Sequence, residues 1–195
     1  MLVLLIGLLL FLGAHSVRIV ADDWRSRQIA RLGEPRWKGL FSLVSLAGLA
    51  LIVWGWSLAR QQPALLWTPP LAMKHLNSLF TLAAFVLLAA AYVPRNHFKA
   101  RLQHPMVVAV KLWAFGHLLA SGKLAGVLLF GAFLLWAVAD FRAARRRDRA
   151  QATVYVAGSA GGTLAALAIG VLAWVAFAFW AHAALTGIAP FGRTL

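Results

Sequence analysis

Residues 104–141 read HPMVVAVKLWAFGHLLASGKLAGVLLFGAFLLWAVADF. Two apolar runs, 105–121 and 124–141, are separated there only by the polar turn Ser121-Gly122-Lys123. Their lengths approach the ~20 apolar residues that a helix needs to cross a bilayer. Because so short a connection places consecutive helices antiparallel, the stretch predicts a hairpin of two membrane helices. The first of these helices carries a histidine, His117.

The rest of the chain continues this pattern. Of its 195 residues, 62% are hydrophobic and 12% are charged, whereas about 25% of the residues in a typical soluble domain are charged. The sequence therefore predicts an all-α, polytopic membrane helix bundle of about six transmembrane helices in a single domain, 1–195, with the lipid bilayer as its partner. Four further spans are predicted, at 2–20, 40–58, 71–93 and 163–185.

The basic residues are distributed unequally between the loops. Most of the 19 lysines and arginines fall in the first, third and fifth loops, and the opposite side holds Arg60, Lys74, Lys123 and Arg193. Since basic residues concentrate in cytoplasmic loops, we expect both termini to lie outside the cytoplasm. The same topology accounts for the net charge of +14, so no nucleic-acid partner is predicted.

Two basic segments have more than one interpretation. Asp22–Arg36 is either an interfacial segment anchored by basic and aromatic side chains or a solvated loop. The run Arg145–Arg149 is interpreted as a solvated cytoplasmic loop, to which binding of anionic lipid would add no separate function.

Several classes of chemistry are excluded by residue content. The chain has no cysteine, so disulfides, thiolate metal sites and cysteine nucleophiles are excluded. Its five carboxylates all lie outside the middle of the apolar runs, so an intramembrane pair for acid–base chemistry has no candidate. Within the apolar runs, histidine is the candidate residue type for holding a metal.

His15 and His117 differ from the other histidines because apolar sequence surrounds each of them. One interpretation is an interhelical hydrogen bond, which membrane helices use for association. The other is axial ligation of haem b by two neutral imidazoles. Under the predicted topology the two residues are not obviously at one depth, so His104 or His75 could replace His15 as a ligand.

Lys111 and His104 are the other candidates for cofactor binding. A lysine within an apolar span either extends to the interface or faces an anionic group such as a haem propionate. His104 precedes Pro105 and is expected to cap the fourth span. Interface or loop positions are expected for His75, His97 and His182.

The motifs together resemble the NnrU family over nearly the whole chain. The matching pieces are His104-Pro105-Met106, Lys111-Leu112-Trp113, His117-Leu118-Leu119, Gly13-Ala14-His15-Ser16-Val17-Arg18, Trp37-Lys38-Gly39-Leu40 and Ser42-Leu43-Val44-Ser45. The family takes its name from bacterial proteins linked to nitric oxide and nitrite metabolism in denitrification, so the resemblance implies a bacterial inner membrane with both termini periplasmic. The family is similar to plant zeta-carotene isomerase, a membrane enzyme that uses haem b.

The resemblance implies His15 and His117 as axial haem ligands, with His104 in the shared histidine–proline motif. Ala114 stands where the isomerase has a cysteine, so a thiolate ligand is absent at this position. The expected function is haem b binding in nitrogen-oxide metabolism or in isomerisation of a hydrophobic substrate. The alternatives are a non-enzymatic accessory or sensor protein without haem, or a small transporter. The sequence leaves open whether the protein is an enzyme.

Overall fold

The computed structural model describes residues 1–192, so Arg193 lies outside the described residues. Within that part the chain is helical, and its only β-type pairing is an isolated bridge between Leu65 and Lys123. This confirms the all-α class. The helices are α1 (Leu2–Val20), α2 (Asp22–Leu32), α3 (Glu34–Gln61), α4 (Leu71–Tyr92), α5 (His97–Leu102), α6 (Pro105–Ala120), α7 (Leu124–Ala150), α8 (Ala160–Ala176) and α9 (His182–Thr186), with a π-helical turn, Phe177–Ala181, between the last two.

The predicted spans match helices closely. α1 has the predicted bounds 2–20, and α4 and α6 each end one residue before the predicted 71–93 and 105–121. Five helical segments are long and apolar enough to cross a membrane, with α8, the π turn and α9 counted as one. α6 is apolar but has 16 residues, which gives ~24 Å at ~1.5 Å per residue, against a hydrocarbon core of ~30 Å.

Two predicted spans are shorter than the helices that contain them. The predicted span 40–58 lies within α3, which runs over Glu34–Gln61. The predicted span 124–141 is the first part of α7, which continues to Ala150. The interpretation of Arg145–Arg149 as a loop is therefore wrong. Arginine is a good helix former, and cationic side chains are favoured near a helix C-terminus by the helix dipole. Apolarity thus located the membrane-embedded part of the helix but not its polar extension.

The segment after α1 forms a separate helix that packs against α3. α2 ends at Gly33, whose φ of +82° suits a glycine because other residues rarely adopt positive φ. Trp24 of α2 meets Trp37 of α3 with ring centroids 5.9 Å apart. Asp22–Arg36 is therefore mostly helical, which fits an interfacial segment and excludes an irregular loop over Asp22–Leu32.

Large apolar side chains on the membrane helices face outwards. Leu9 and Leu135 are each 74% exposed, and Leu172 is 69% exposed. Apolar patches of this extent are unusual in soluble monomers and fit a surface covered by lipid. The exposure and the helix lengths together support an integral membrane protein.

α1 and α3 approach each other closely at glycines. A Cβ atom on Gly48 would lie 2.7 Å from the backbone nitrogen of Phe11, and one on Gly55 would lie 2.6 Å from Leu4 Cα. Small residues allow such close approach, which is a common basis of helix association in membranes. This contact fixes α1 and therefore the position of His15.

The end of the bundle away from the arginines is held by the loop between α3 and α4. The backbone N–H of Leu66 donates to Gly122 O over 2.8 Å, and Leu124 N donates to Ala64 O over 2.9 Å. These bonds connect the loop to the turn predicted between α6 and α7. The hairpin of α6 and α7 is thereby anchored at its closed end.

Candidate functional site

A cavity of about 730 Å³ lies at the arginine-rich end of the bundle. Pockets for small molecules commonly have ~300–1,000 Å³. Its apolar wall includes Ala14, Val17, Phe41, Val107, Val110 and Trp136, and its charged wall includes Arg18, Arg25, Lys38, Lys99, Arg147, Glu34, Asp140 and Asp148. We call this space the central cavity. A lining that combines apolar side chains with more cations than carboxylates suits an amphipathic, anionic molecule.

His15 belongs to the wall of the central cavity. Its Nδ1 lies 2.7 Å from the carbonyl oxygen of Phe11. Since a carbonyl only accepts, Nδ1 carries the hydrogen, and Nε2 of the neutral ring keeps its lone pair. The ring stacks on Phe11 at 4.2 Å and meets the rings of Phe41 and Trp136 edge-on at 5.0 and 5.9 Å. This orientation leaves Nε2 available to a metal or a ligand proton.

His104 lines the same cavity, but its Nε2 is already engaged. Nε2 lies 2.7 Å from Asp148 Oδ2, and the hydroxyl of Tyr155 donates to the same oxygen over 3.1 Å. Burial raises the pKa of Tyr155, as does its hydrogen bond to Asp148, so the hydroxyl stays protonated. His104 occupies the N-cap position of α6 as expected, but its side chain makes no capping hydrogen bond and instead connects the start of α6 to the end of α7.

His117 and Lys111 lie outside the lining of the central cavity. His117 donates from Nδ1 to Trp113 O over 2.8 Å, and its ring stacks on Phe130 at 4.5 Å. Lys111 Nζ stands 3.6 Å above the ring centroid of Phe141, which is a cation–π contact. Neither residue shares the cavity with His15 in this arrangement.

Aromatic side chains separate the two histidines in apolar helices. Phe11 meets Phe133 at 5.7 Å, Phe133 meets Trp113 at 5.3 Å, and Trp113 meets His117 at 5.3 Å. On α7, His15 contacts Trp136 and His117 contacts Phe130, which are ~9 Å apart along the helix. The difference in depth expected from the sequence is therefore present.

The remaining histidines do not line the central cavity within residues 1–192. His97 Nδ1 lies 2.7 Å from Thr163 Oγ1, and His182 donates from Nδ1 to Ile188 O over 2.7 Å. His75 is exposed near the start of α4. In the same part of the chain, no group of three or more metal-ligating side chains is suited to holding a metal ion.

Sequence reasoning missed two polar groups of the cavity wall, Gln103 and Trp136. Gln103 Oε1 and Trp136 Nε1 are buried and have no hydrogen-bond partner among the described residues. Buried polar atoms are nearly always bonded, so this acceptor and this donor each lack the partner that a water or a ligand atom reaching them would supply. An indole N–H within an apolar run was the available signal, because such a group needs a partner when buried.

The fold defines a helical integral membrane protein, and the lining of its central cavity includes His15 and His104. A family model described as NnrU protein matches residues 3–190. The chain therefore belongs to the NnrU family, which confirms the resemblance found in its motifs. Comparisons with the curated proteins and with the solved structures gave no match.

Proposed function

We propose that this NnrU-family protein binds haem b in the central cavity, with the Nε2 atom of His15 as an axial ligand. The observation that carries the proposal is the His15 ring, which is oriented through Nδ1 by Phe11 and lies in the cavity wall with Nε2 unbonded among residues 1–192. Metal-ligating histidines commonly donate their second nitrogen to a backbone carbonyl in this way.

The remainder of the wall fits the other parts of a haem. Val107, Val110 and Phe41 offer an apolar surface to a porphyrin, and Arg18 is a cation of the wall that can pair with a propionate. Bound haem would supply an iron centre able to take nitric oxide or to assist isomerisation of a hydrophobic substrate. The free Trp136 N–H would orient such a molecule.

The family resemblance pairs His15 with His117, and that pairing remains a prediction. The two rings are linked through a chain of aromatic contacts that includes Phe133 and Trp113, and His117 is not part of the cavity wall that contains His15. Of the predicted cofactor-binding residues, His104 shares the cavity with His15 but uses Nε2 for Asp148. We therefore assign His15 as the one iron ligand in the described arrangement.

The proposed role is haem-dependent chemistry or sensing in nitrogen-oxide metabolism. A membrane accessory protein without haem is the competing function, and it predicts that the central cavity takes no porphyrin. The two are distinguished by titrating haem-free protein in detergent with haemin and then reducing it and adding nitric oxide. Saturable uptake followed by a nitric oxide-dependent spectral shift supports the proposal, and absence of uptake favours the accessory protein.

The indole N–H of Trp136 is expected to contribute to ligand binding. Trp136→Phe keeps an aromatic ring and removes the donor, so we expect haemin or nitric oxide affinity to fall roughly two- to tenfold, as for one hydrogen bond. Trp56→Phe is the matched control, because Trp56 Nε1 is also buried without a partner in the described residues but lies outside the cavity wall. Equal effects of both changes would contradict the assignment.

We also propose a bacterial inner-membrane location with both termini in the periplasm, since most basic residues lie at the cavity end. A reporter that is active only outside the cytoplasm should be active when it is fused to the C-terminus. A reporter that is active only in the cytoplasm should be active when it is inserted after Ala152, in the connection between α7 and α8. The reverse pattern would overturn this orientation.

A further inference from the structure

A second, open hollow lies between side chains of α7, distinct from the central cavity. It has a volume of about 420 Å³ and is lined by Phe141, Arg142, Arg145, Arg146 and Arg149. The four arginines are spaced i, i+3, i+4 and i+7, so they share one face of the helix. We call these four residues the arginine face.

None of the four arginines takes part in a salt bridge within residues 1–192. Arg147, between them in sequence, differs: it lies 4.0 Å from Asp140, and it lines the central cavity together with Asp140 and Asp148. The four arginines thus form no ion pair in that part of the chain, although Arg145 lies within electrostatic reach of Asp148. Four close guanidinium groups repel each other, so an anionic ligand would relieve a real electrostatic cost.

The position of the arginine face along α7 points to the membrane surface. Arg142 lies ~27 Å along the helix from Leu124, close to the ~30 Å thickness of the hydrocarbon core. The four guanidinium groups thus begin at the depth of lipid headgroups. Phe141 stands at the boundary, and Lys111 Nζ reaches its ring at 3.6 Å, which adds a fifth cation on the side of α6.

We propose that the arginine face binds the headgroup of an anionic phospholipid that carries two phosphates. Guanidinium groups bind phosphate oxygens in a bidentate manner, and four of them exceed what one monoanionic phosphodiester would neutralise. Phe141 provides an apolar contact for the adjoining acyl chain. Lys111 would then face an anionic group of the membrane and not a haem propionate.

The test measures binding of tetraoleoyl cardiolipin to the purified, delipidated full-length protein by native mass spectrometry. Phosphatidylcholine, phosphatidylglycerol and soluble pyrophosphate are the comparison ligands. Wild-type protein should prefer cardiolipin over the two other lipids. At ~1 kcal/mol for each arginine near the surface, Arg145→Gln/Arg149→Gln should weaken cardiolipin binding roughly thirtyfold.

Arg27→Gln/Arg31→Gln is the matched control, since it removes the same charge from exposed positions of another basic helix, α2. It should change affinity less than twofold, and Arg145→Lys/Arg149→Lys should retain part of the binding through charge alone. Equal weakening by both glutamine pairs would overturn the proposal in favour of a net-charge effect. Full displacement of cardiolipin by pyrophosphate would also overturn the proposal, because the arginine face would then be a site for a soluble anion. If the Arg145→Gln/Arg149→Gln variant does not fold, the proposal is tested by the Arg145→Lys/Arg149→Lys variant and by the competition with pyrophosphate.

Discussion

His15→Ala is expected to abolish haem retention, the largest spectroscopic effect of any single change. The ring is the one imidazole in the central cavity whose Nε2 is unbonded among the described residues, and no cysteine exists to replace it. Loss of an axial ligand also leaves a cavity beside Phe11, Phe41 and Trp136. The measurement is haem per protein after purification with full haem supply. His97→Ala, at a position expected from the sequence to be a non-ligand, should bind haem normally.

His117→Ala distinguishes the two ligand sets. From the described geometry, in which His117 stacks on Phe130 outside the cavity wall, we expect this variant to keep its haem and its spectrum. Conversion from a low-spin to a high-spin spectrum would instead support the His15–His117 pair implied by the family resemblance. Loss of haem in His104→Ala but not in His15→Ala would move the ligand to the start of α6.

Gly55→Ala is expected to cause a large loss of stability for a small added volume. Its new methyl group would lie 2.6 Å from Leu4 Cα, and backbone cannot move aside as a flexible side chain can. Overpacking of this kind typically costs about 1–3 kcal/mol. Since α1 would be displaced, the variant should also retain less haem. Thermal unfolding in detergent, followed by tryptophan fluorescence, measures the effect.

Gly39→Ala is the matched control on the same helix. A Cβ atom at Gly39 meets nothing within 4 Å, and alanine favours helix over glycine by roughly 0.5–1 kcal/mol. The control should therefore unfold at the same temperature as wild type or slightly above it. If Gly55→Ala unfolds like Gly39→Ala, the α1–α3 contact does not depend on close approach at Gly55.

The helices could be predicted from the sequence because a bilayer requires long apolar runs, and such runs are local. Leu2–Val20 has the predicted bounds for this reason. The extension of α7 through Arg149 was missed, since hydropathy does not report helix that continues into water. The approach of His104 to Asp148 was also missed, because it joins residues from two helices and depends on how these pack.

The candidate site was predictable only in part for the same reason. An isolated histidine in an apolar run identifies His15 and His117 equally, and only the packing of Phe133 and Trp113 between them shows that they occupy different surroundings. Gln103 lies beside the His104-Pro105 motif without any pattern of its own. Its burial in the cavity wall without a hydrogen-bond partner is a tertiary property.

The absorption spectrum of the wild-type protein, purified from cells with full haem supply, tests the central claim most directly. If haem is bound at His15, we expect a Soret band whose absorbance is proportional to the protein concentration. We also expect visible absorption bands that change when the protein is reduced. Absence of Soret absorbance from folded, monodisperse protein, both as purified and after addition of haemin, would contradict haem binding in the central cavity.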